Sequence, residues 1–193
     1  MVTKPSLPRF STIYWLFHGP FFSLLFAQWH TLHTQYIPAW LSVPSIAKPA
    51  SELGKACRYD TSLSKRESEL VILLTGAKHQ SRTELTIHSK EAVNAANMDP
   101  SIPNAIWNHL LGQEFSKKAL QKHVLPLLET NRERAIAMFC GELLETSGVV
   151  SDQTYQATKL ALGNQDSVLV EITSIVGYYT YVSYTLNVFR IPP

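Results

Sequence analysis

Apolar residues along this chain recur at three- and four-residue intervals, the period of a helix buried along one face. Phe22, Leu25, Phe26, Trp29, Leu32 and Tyr36 keep that spacing across 21–36, and Val168, Ile172, Ile175, Tyr179, Val182 and Leu186 keep it across 167–188. No stretch shows a convincing strand pattern, so the expected fold class is all-α. The predicted helices are 10–19, closed by Gly19-Pro20, then 21–36, 64–75, 81–97, 103–111, 115–124, 127–146, 152–162 and 167–188. Gly76, Gly112, Gly148 and Gly163-Asn164 serve as their stop signals. Starts are marked by Ser64 with Glu67 and Ser81 with Glu84, both of capping-box form. Asp99 or Ser101 precedes a first-turn proline, and Ser151 and Asp166 open the last two helices. In 127–146 the expected inner stripe is Ala135, Met138, Phe139, Glu142 and Leu143. Residues 1–9, with Pro5 and Pro8, read as a loose arm. Pro38, Pro44 and Pro49 argue against a long helix anywhere in 37–62.

One stretch, Ser64 to Met98, carries polar residues arranged as chemistry would need them. Glu84 and His88 are four apart on one helix and therefore on one face. Glu69 lies in the apolar run Leu70-Val71-Ile72-Leu73-Leu74, where a carboxylate is costly to bury unless something pairs with it. A structural reading competes with the functional one. Glu84 could do no more than satisfy backbone donors at its helix start, and a single His on a helix is more often structural than catalytic.

Composition narrows the classes of function. The chain of 193 residues is long enough for a proper core, as one domain or two small ones. Its formal charge of +2, with lysines and arginines scattered, gives no reason to expect nucleic acid or an anionic membrane as partner. Two cysteines, Cys57 and Cys140, form neither a CxxC nor a metal-ligand pattern, which makes a reducing compartment, the cytoplasm, the expected location. Lys4 and Arg9 before the apolar run Ile13 to Phe26 superficially resemble a signal peptide. His18-Gly19-Pro20 interrupts that run, no small-residue cleavage site follows, and the run is too short and broken to span a bilayer. No glycine-rich phosphate loop and no metal-ligand cluster is present, so no cofactor and no metal is expected.

The segment Leu63-Ser64-Lys65-Arg66-Glu67-Ser68-Glu69-Leu70 resembles the helix start of the carboxymuconolactone decarboxylase family, which also contains the AhpD-type alkylhydroperoxidases. An apolar run ending in Gly76 follows, then Glu84-Leu85-Thr86-Ile87-His88 in place of the family's Glu-x-x-x-His, at the family's own distance from Glu69. Leu169 to Tyr179 looks like the same family's last helix, and Phe17-His18-Gly19-Pro20 like its His-Ser-Pro segment. The resemblance covers roughly residues 10–191. It implies a single all-α domain of AhpD-like helical-bundle architecture, assembled as a homo-oligomer, a trimer or hexamer. It implies an insertion around 38–58, because the family reaches its Leu-Ser-x-Arg-Glu start sooner after the His-Pro segment. It also implies an active site containing Glu69 and His88.

The family's peroxidase branch uses a CxxC at the start of the second helix. Ser81 and Glu84 occupy those positions here, and a hydroxyl and a carboxylate cannot cycle through a disulfide. The decarboxylase branch needs less. Where a substrate carbonyl accepts the electrons left on carbon, the protein has only to stabilise an enolate and deliver a proton. His88, oriented by Glu69, would be the proton donor, and Glu84 a second acid or a hold on a substrate hydroxyl. Ser81, Tyr179 and His18 are the further candidates for contact with a small-molecule substrate. The expected activity is a cofactor-free decarboxylase, or a related lyase or isomerase, acting on a small carboxylated or lactone-like compound. The alternative is a non-catalytic binding or assembly module on the same fold.

Overall fold

The computed structural model describes residues 37–111 and 115–193. The expected arm 1–9, the helices 10–19 and 21–36, His18 and the Gly112 stop lie outside the described residues. Among those described there are nine α-helices and no strand. They are α1 (Ile37–Leu41), α2 (Pro44–Tyr59), α3 (Lys65–Lys78), α4 (Arg82–Ala96) and α5 (Ser101–His109). After these come α6 (Lys117–His123), α7 (Asn131–Glu145), α8 (Asp152–Ala161) and α9 (Asp166–Phe189), with a 3₁₀ turn at Leu125–Leu127.

Helix α3 is the axis of the bundle. Every residue from Glu67 to Ala77 is buried, so the helix has no solvent face over three turns. It packs against α4, α9, α7 and α5. The stop expected at Gly76 is not there: the helix runs on to Lys78, and Gln80 supplies the left-handed residue that ends it, with φ of 53°. Gly76 has a different use. A Cβ built on it would stand 3.2 Å from Glu84 Cβ, so the missing side chain lets α4 close onto α3 at the residue where Glu84 projects.

The starts of α3 and α7 brace each other. Each is a full capping box, Ser64 with Glu67 and Thr130 with Glu133. In each box the glutamate uses one oxygen for the cap and the other for an arginine of the opposite helix. Glu67 Oε1 accepts from Arg132 Nε at 2.6 Å, and Glu133 Oε1 accepts from Arg66 Nε at 2.5 Å. The Thr130 signal places the start of α7 four residues later than the expected 127. Its buried face is Ile136, Ala137, Phe139, Cys140, Leu143 and Leu144, while Ala135 and Met138 are only partly covered. Glu142 is buried on that helix as expected, and its carboxyl is fully used. Lys117 Nζ at 2.9 Å, the Ser151 backbone N–H at 2.8 Å and the Thr154 hydroxyl all donate to it, joining α6, α7 and α8.

The long helix excluded over 37–62 is present as α2. Pro44 occupies its first turn, where the missing N–H is no loss. Pro49, inside the helix, gives up the bond to the Ser45 carbonyl, and the packing of Ala47 and Cys57 against the common core outweighs it. The last helix meets expectation closely: Val168, Ile172, Ile175, Tyr179, Val182 and Leu186 are all buried. It is tied to the rest by Trp40 Nε1 donating to Thr185 Oγ1 at 3.0 Å and by the Ser62 N–H and hydroxyl donating to Glu171. No helix among the described residues is long and apolar enough to cross a membrane.

Two outcomes follow from this packing. A Cβ on Gly54 of α2 would fall inside the Tyr178 phenol of α9. Gly54→Ala is expected to destabilise the fold by about 1–3 kcal/mol, the usual range for overpacking, as read from urea midpoints. The hydrogen bonds from Thr154, Lys117 and Ser151 bring the Glu142 carboxyl down from 4.5 to about 2. Its contribution is complete above the ordinary carboxylate range and is lost as pH falls toward 2. Glu142→Gln should therefore be less stable than wild type at neutral pH, with the gap closing below about 4.5 in denaturation curves taken across pH.

Candidate active site

The three residues singled out on α3 and α4 meet in the interior. Glu69 projects from the second turn of α3, and Glu84 and His88 from successive turns of α4. All three are buried. His88 Nδ1 lies 2.7 Å from Glu69 Oε2. A carboxylate only accepts, so the proton of this bond sits on Nδ1 and leaves Nε2 directed at the second glutamate. Glu84 Oε2 is 3.3 Å from Nε2, close but out of hydrogen-bond alignment, and among the described residues that oxygen has no hydrogen-bond partner.

Capping does not account for Glu84. Ser81 caps α4 by accepting from the Glu84 backbone N–H, but the reciprocal bond from the Glu84 carboxyl is not made. The carboxyl turns inward to the imidazole instead. Burial pushes it above the ordinary carboxylate range and Glu69 adds to the rise, while His88 and Arg58 pull the other way without cancelling it. The raised carboxyl and the imidazole Nε2 thus stand side by side, 3.3 Å apart.

Arg58, from the last turn of α2, was not singled out in the sequence. Its Nη2 is 3.7 Å from Glu69 Oε1 and 3.5 Å from Glu91 Oε2, and its Nη1 donates to the Tyr179 hydroxyl at 3.3 Å. Burial works against its charge, but the Tyr179 phenol and the Glu69 carboxylate outweigh burial and keep the guanidinium protonated. Lys65 Nζ, 3.5 Å from Glu91 Oε2, shares that carboxylate. The signal for Arg58 was its place one turn before the Leu63-Ser64 start, a position with no helical periodicity to recommend it.

Tyr179 is brought into the group. Its ring meets the His88 ring edge-on at 5.2 Å between centroids, and Tyr178 packs edge-on against Tyr179 in turn at 5.3 Å. Ser81 is fully buried with its hydroxyl at the α4 cap. Among the described residues no group of three or more His, Cys, Asp or Glu side chains is placed to hold a metal ion. The thiols lie on other helices, Cys57 on α2 and Cys140 on α7, both free and buried. Burial raises both above the ordinary thiol range.

No protein-family model matches the chain, and no curated protein matches it. Among solved structures, an uncharacterized peroxidase-related protein from Silicibacter sp. TM1040 superposes with a TM-score of 0.73, over all of this chain and 95% of that one, at 12% identity. At that identity the likeness is one of fold: the two chains share a helical architecture.

The raised Glu84 carboxyl has a measurable consequence. The folded state holds its proton more tightly than the unfolded chain does, so wild-type stability falls as pH rises from the ordinary carboxylate value of 4.5 through the raised one. Glu84→Gln should flatten that slope in denaturation curves. An unchanged slope would mean that Glu84 titrates alike in both states.

Proposed function

We propose that the chain is a cofactor-free acid–base enzyme of the carboxymuconolactone decarboxylase-like type: a carboxy-lyase, or a related lyase or isomerase, for a small carboxylated or lactone-like compound. The observation that carries this reading is the interior line Glu69–His88–Glu84, an imidazole fixed on one side by a carboxylate and facing, on the other, a buried carboxyl raised above its ordinary range. The family motifs along the chain and the helical fold shared with a peroxidase-related protein are consistent with it.

In the decarboxylation the bond between the substrate's α-carbon and its carboxylate breaks. Carbon dioxide leaves, and the electron pair moves into an adjacent carbonyl to give an enolate. Glu84 passes its proton to His88 Nε2, Nε2 delivers it to that carbon, and Glu84 takes a proton back from solvent, while Glu69 holds the ring and balances the charge of the imidazolium formed in between. Tyr179, against the same ring, and Ser81, at the α4 start, border the reacting group; His18 is assigned a substrate contact by the family resemblance alone. The same proton path serves an isomerisation, in which the enolate is reprotonated elsewhere. Thiol-based peroxide reduction is not proposed, since Ser81 and Glu84 stand where that chemistry needs cysteines and both thiols are buried with raised pKa. The unit is a single domain that works as a homo-oligomer in the cytoplasm.

His88→Ala tests this reading. The metabolite that accumulates when the protein is absent should differ from its product by the mass of carbon dioxide. The variant should lose about 10²–10⁴-fold in turnover, the usual worth of a positioned proton donor, with its helical circular dichroism intact. Unchanged turnover in a folded His88→Ala protein would remove the acid–base assignment, and no turnover by the wild type itself would leave a binding or assembly module.

A further inference from the structure

Exposure is uneven across the buried constellation. The side chains of Glu69, Glu84 and His88 are each 3% exposed, that of Arg58 is 14% and that of Glu91 is 25%. Solvent therefore reaches the group from the Arg58–Glu91 side. Arg58 is also poorly used for a cation so far inside. A guanidinium carries five N–H donors. Among the described residues this one makes a single hydrogen bond, to Tyr179, and its two carboxylate neighbours stand at 3.5 and 3.7 Å, beyond the 2.7–2.9 Å of a charge-assisted bond. Glu91 has a second cation to turn to, because Lys65 lies at the same 3.5 Å from the same oxygen.

Resting on the acid–base reading above, we propose that Arg58 receives a carboxylate of the substrate and that Glu91 is its internal competitor, held loosely on the guanidinium until the substrate displaces it toward Lys65. The chemistry fits the geometry. The fork of an arginine matches a carboxylate with two parallel bonds, and here the donors that would form them are unspent. Displacement leaves no charge unpaired, since Glu91 keeps Lys65 and the incoming carboxylate takes the vacated side of Arg58. The anchor lies next to Glu69 and so next to His88, which sets the rest of a small substrate against the imidazole. Pairing with a cation stabilises a carboxylate before its bond breaks, which would slow its loss. The anchored group is thus one that the product keeps.

The test uses the full chain with levulinate, a small keto acid, and its neutral methyl ester as the control, with dissociation constants from calorimetry. Arg58→Gln should weaken levulinate binding by about tenfold or more, the cost of losing a charged bidentate contact. Glu91→Gln should tighten it several-fold, and His88→Ala should bind as wild type does, so that binding is read apart from turnover. Arg58→Lys, which keeps stem and charge but not the fork, should fall between wild type and Arg58→Gln, and it replaces Arg58→Gln if that variant does not fold. The proposal is overturned if levulinate does not bind the wild type, if the ester binds equally well, if Arg58→Gln (or Arg58→Lys in its place) binds at wild-type strength, or if Glu91→Gln fails to tighten binding. A dead His88→Ala with wild-type binding supports both readings; a fully active one with wild-type binding removes only the acid–base step.

Discussion

A carboxylate sits in the middle of the most buried helix of this molecule, and much of the interior is arranged around it. An isolated Glu69 in α3 would be untenable, since burying an unpaired ionised carboxylate costs far more than a fold of this size has to spare. Its compensation comes from two other helices: His88 of α4 bonds one oxygen, and Arg58 of α2 stands beside the other. Tyr179 of α9 touches both of those partners. Four helices are obliged to converge on a point where no one of them could satisfy its own polar group. Breaking such a pair by deleting one partner typically costs about 3–5 kcal/mol, while the intact pair adds little. Its worth lies in where it puts the imidazole.

The same economy appears at the surface of the core. Glu67 and Glu133 each serve a helix cap with one oxygen and a cross-helix arginine with the other, which fixes α3 against α7 at their starts. Gly76 then sets how near α4 can come. The brace and the close approach leave Glu69 and His88 little freedom, as a site built on rigid elements requires. Glu84 shows the alternative use of the same sequence signal. Ser81 caps α4 as Ser64 caps α3, but the acid three residues on points at a histidine rather than back at the cap.

Much of this was legible from residue order. The period of α9 identified its buried face position by position, because a helix covered along one stripe writes that stripe into its sequence. The Glu69 anomaly, a carboxylate in an apolar run, pointed to the interior pair for a thermodynamic reason that needs no coordinates. The failures are equally physical. Gly76 reads as a stop only while the helix is considered alone; the approach of α4 gives it another purpose. Pro49 reads as a breaker until the packing of α2 on the core outweighs one lost backbone bond. The start of α7 was marked by Thr130-Asn131-Arg132-Glu133, a near copy of Ser64-Lys65-Arg66-Glu67, and the apolar Leu127 and Leu128 obscured it. Arg58 was marked only by its place shortly before the Leu63-Ser64 start, since its importance depends on which helix end is folded over which carboxylate.

The start of α4 sets the electrostatics on which the proposed acid–base reading depends. Two opposed influences act on a carboxyl in the first turn of a helix. The aligned backbone dipoles favour its ionised form by about 0.3–1 kcal/mol, with up to about 2 in partly buried sites. Removal from water favours the neutral form by up to about 3–5 pKa units when burial is complete, each unit being about 1.4 kcal/mol. At Glu84 burial is nearly total, and desolvation is the largest influence on its raised carboxyl. A solvent-facing first turn would instead stabilise an anion, the condition a reactive thiolate needs. By closing over that turn, the fold raises a carboxyl beside an imidazole already fixed by Glu69. In the acid–base reading proposed above, that carboxyl would supply the proton and the neighbouring ring, 3.3 Å away, would pass it on.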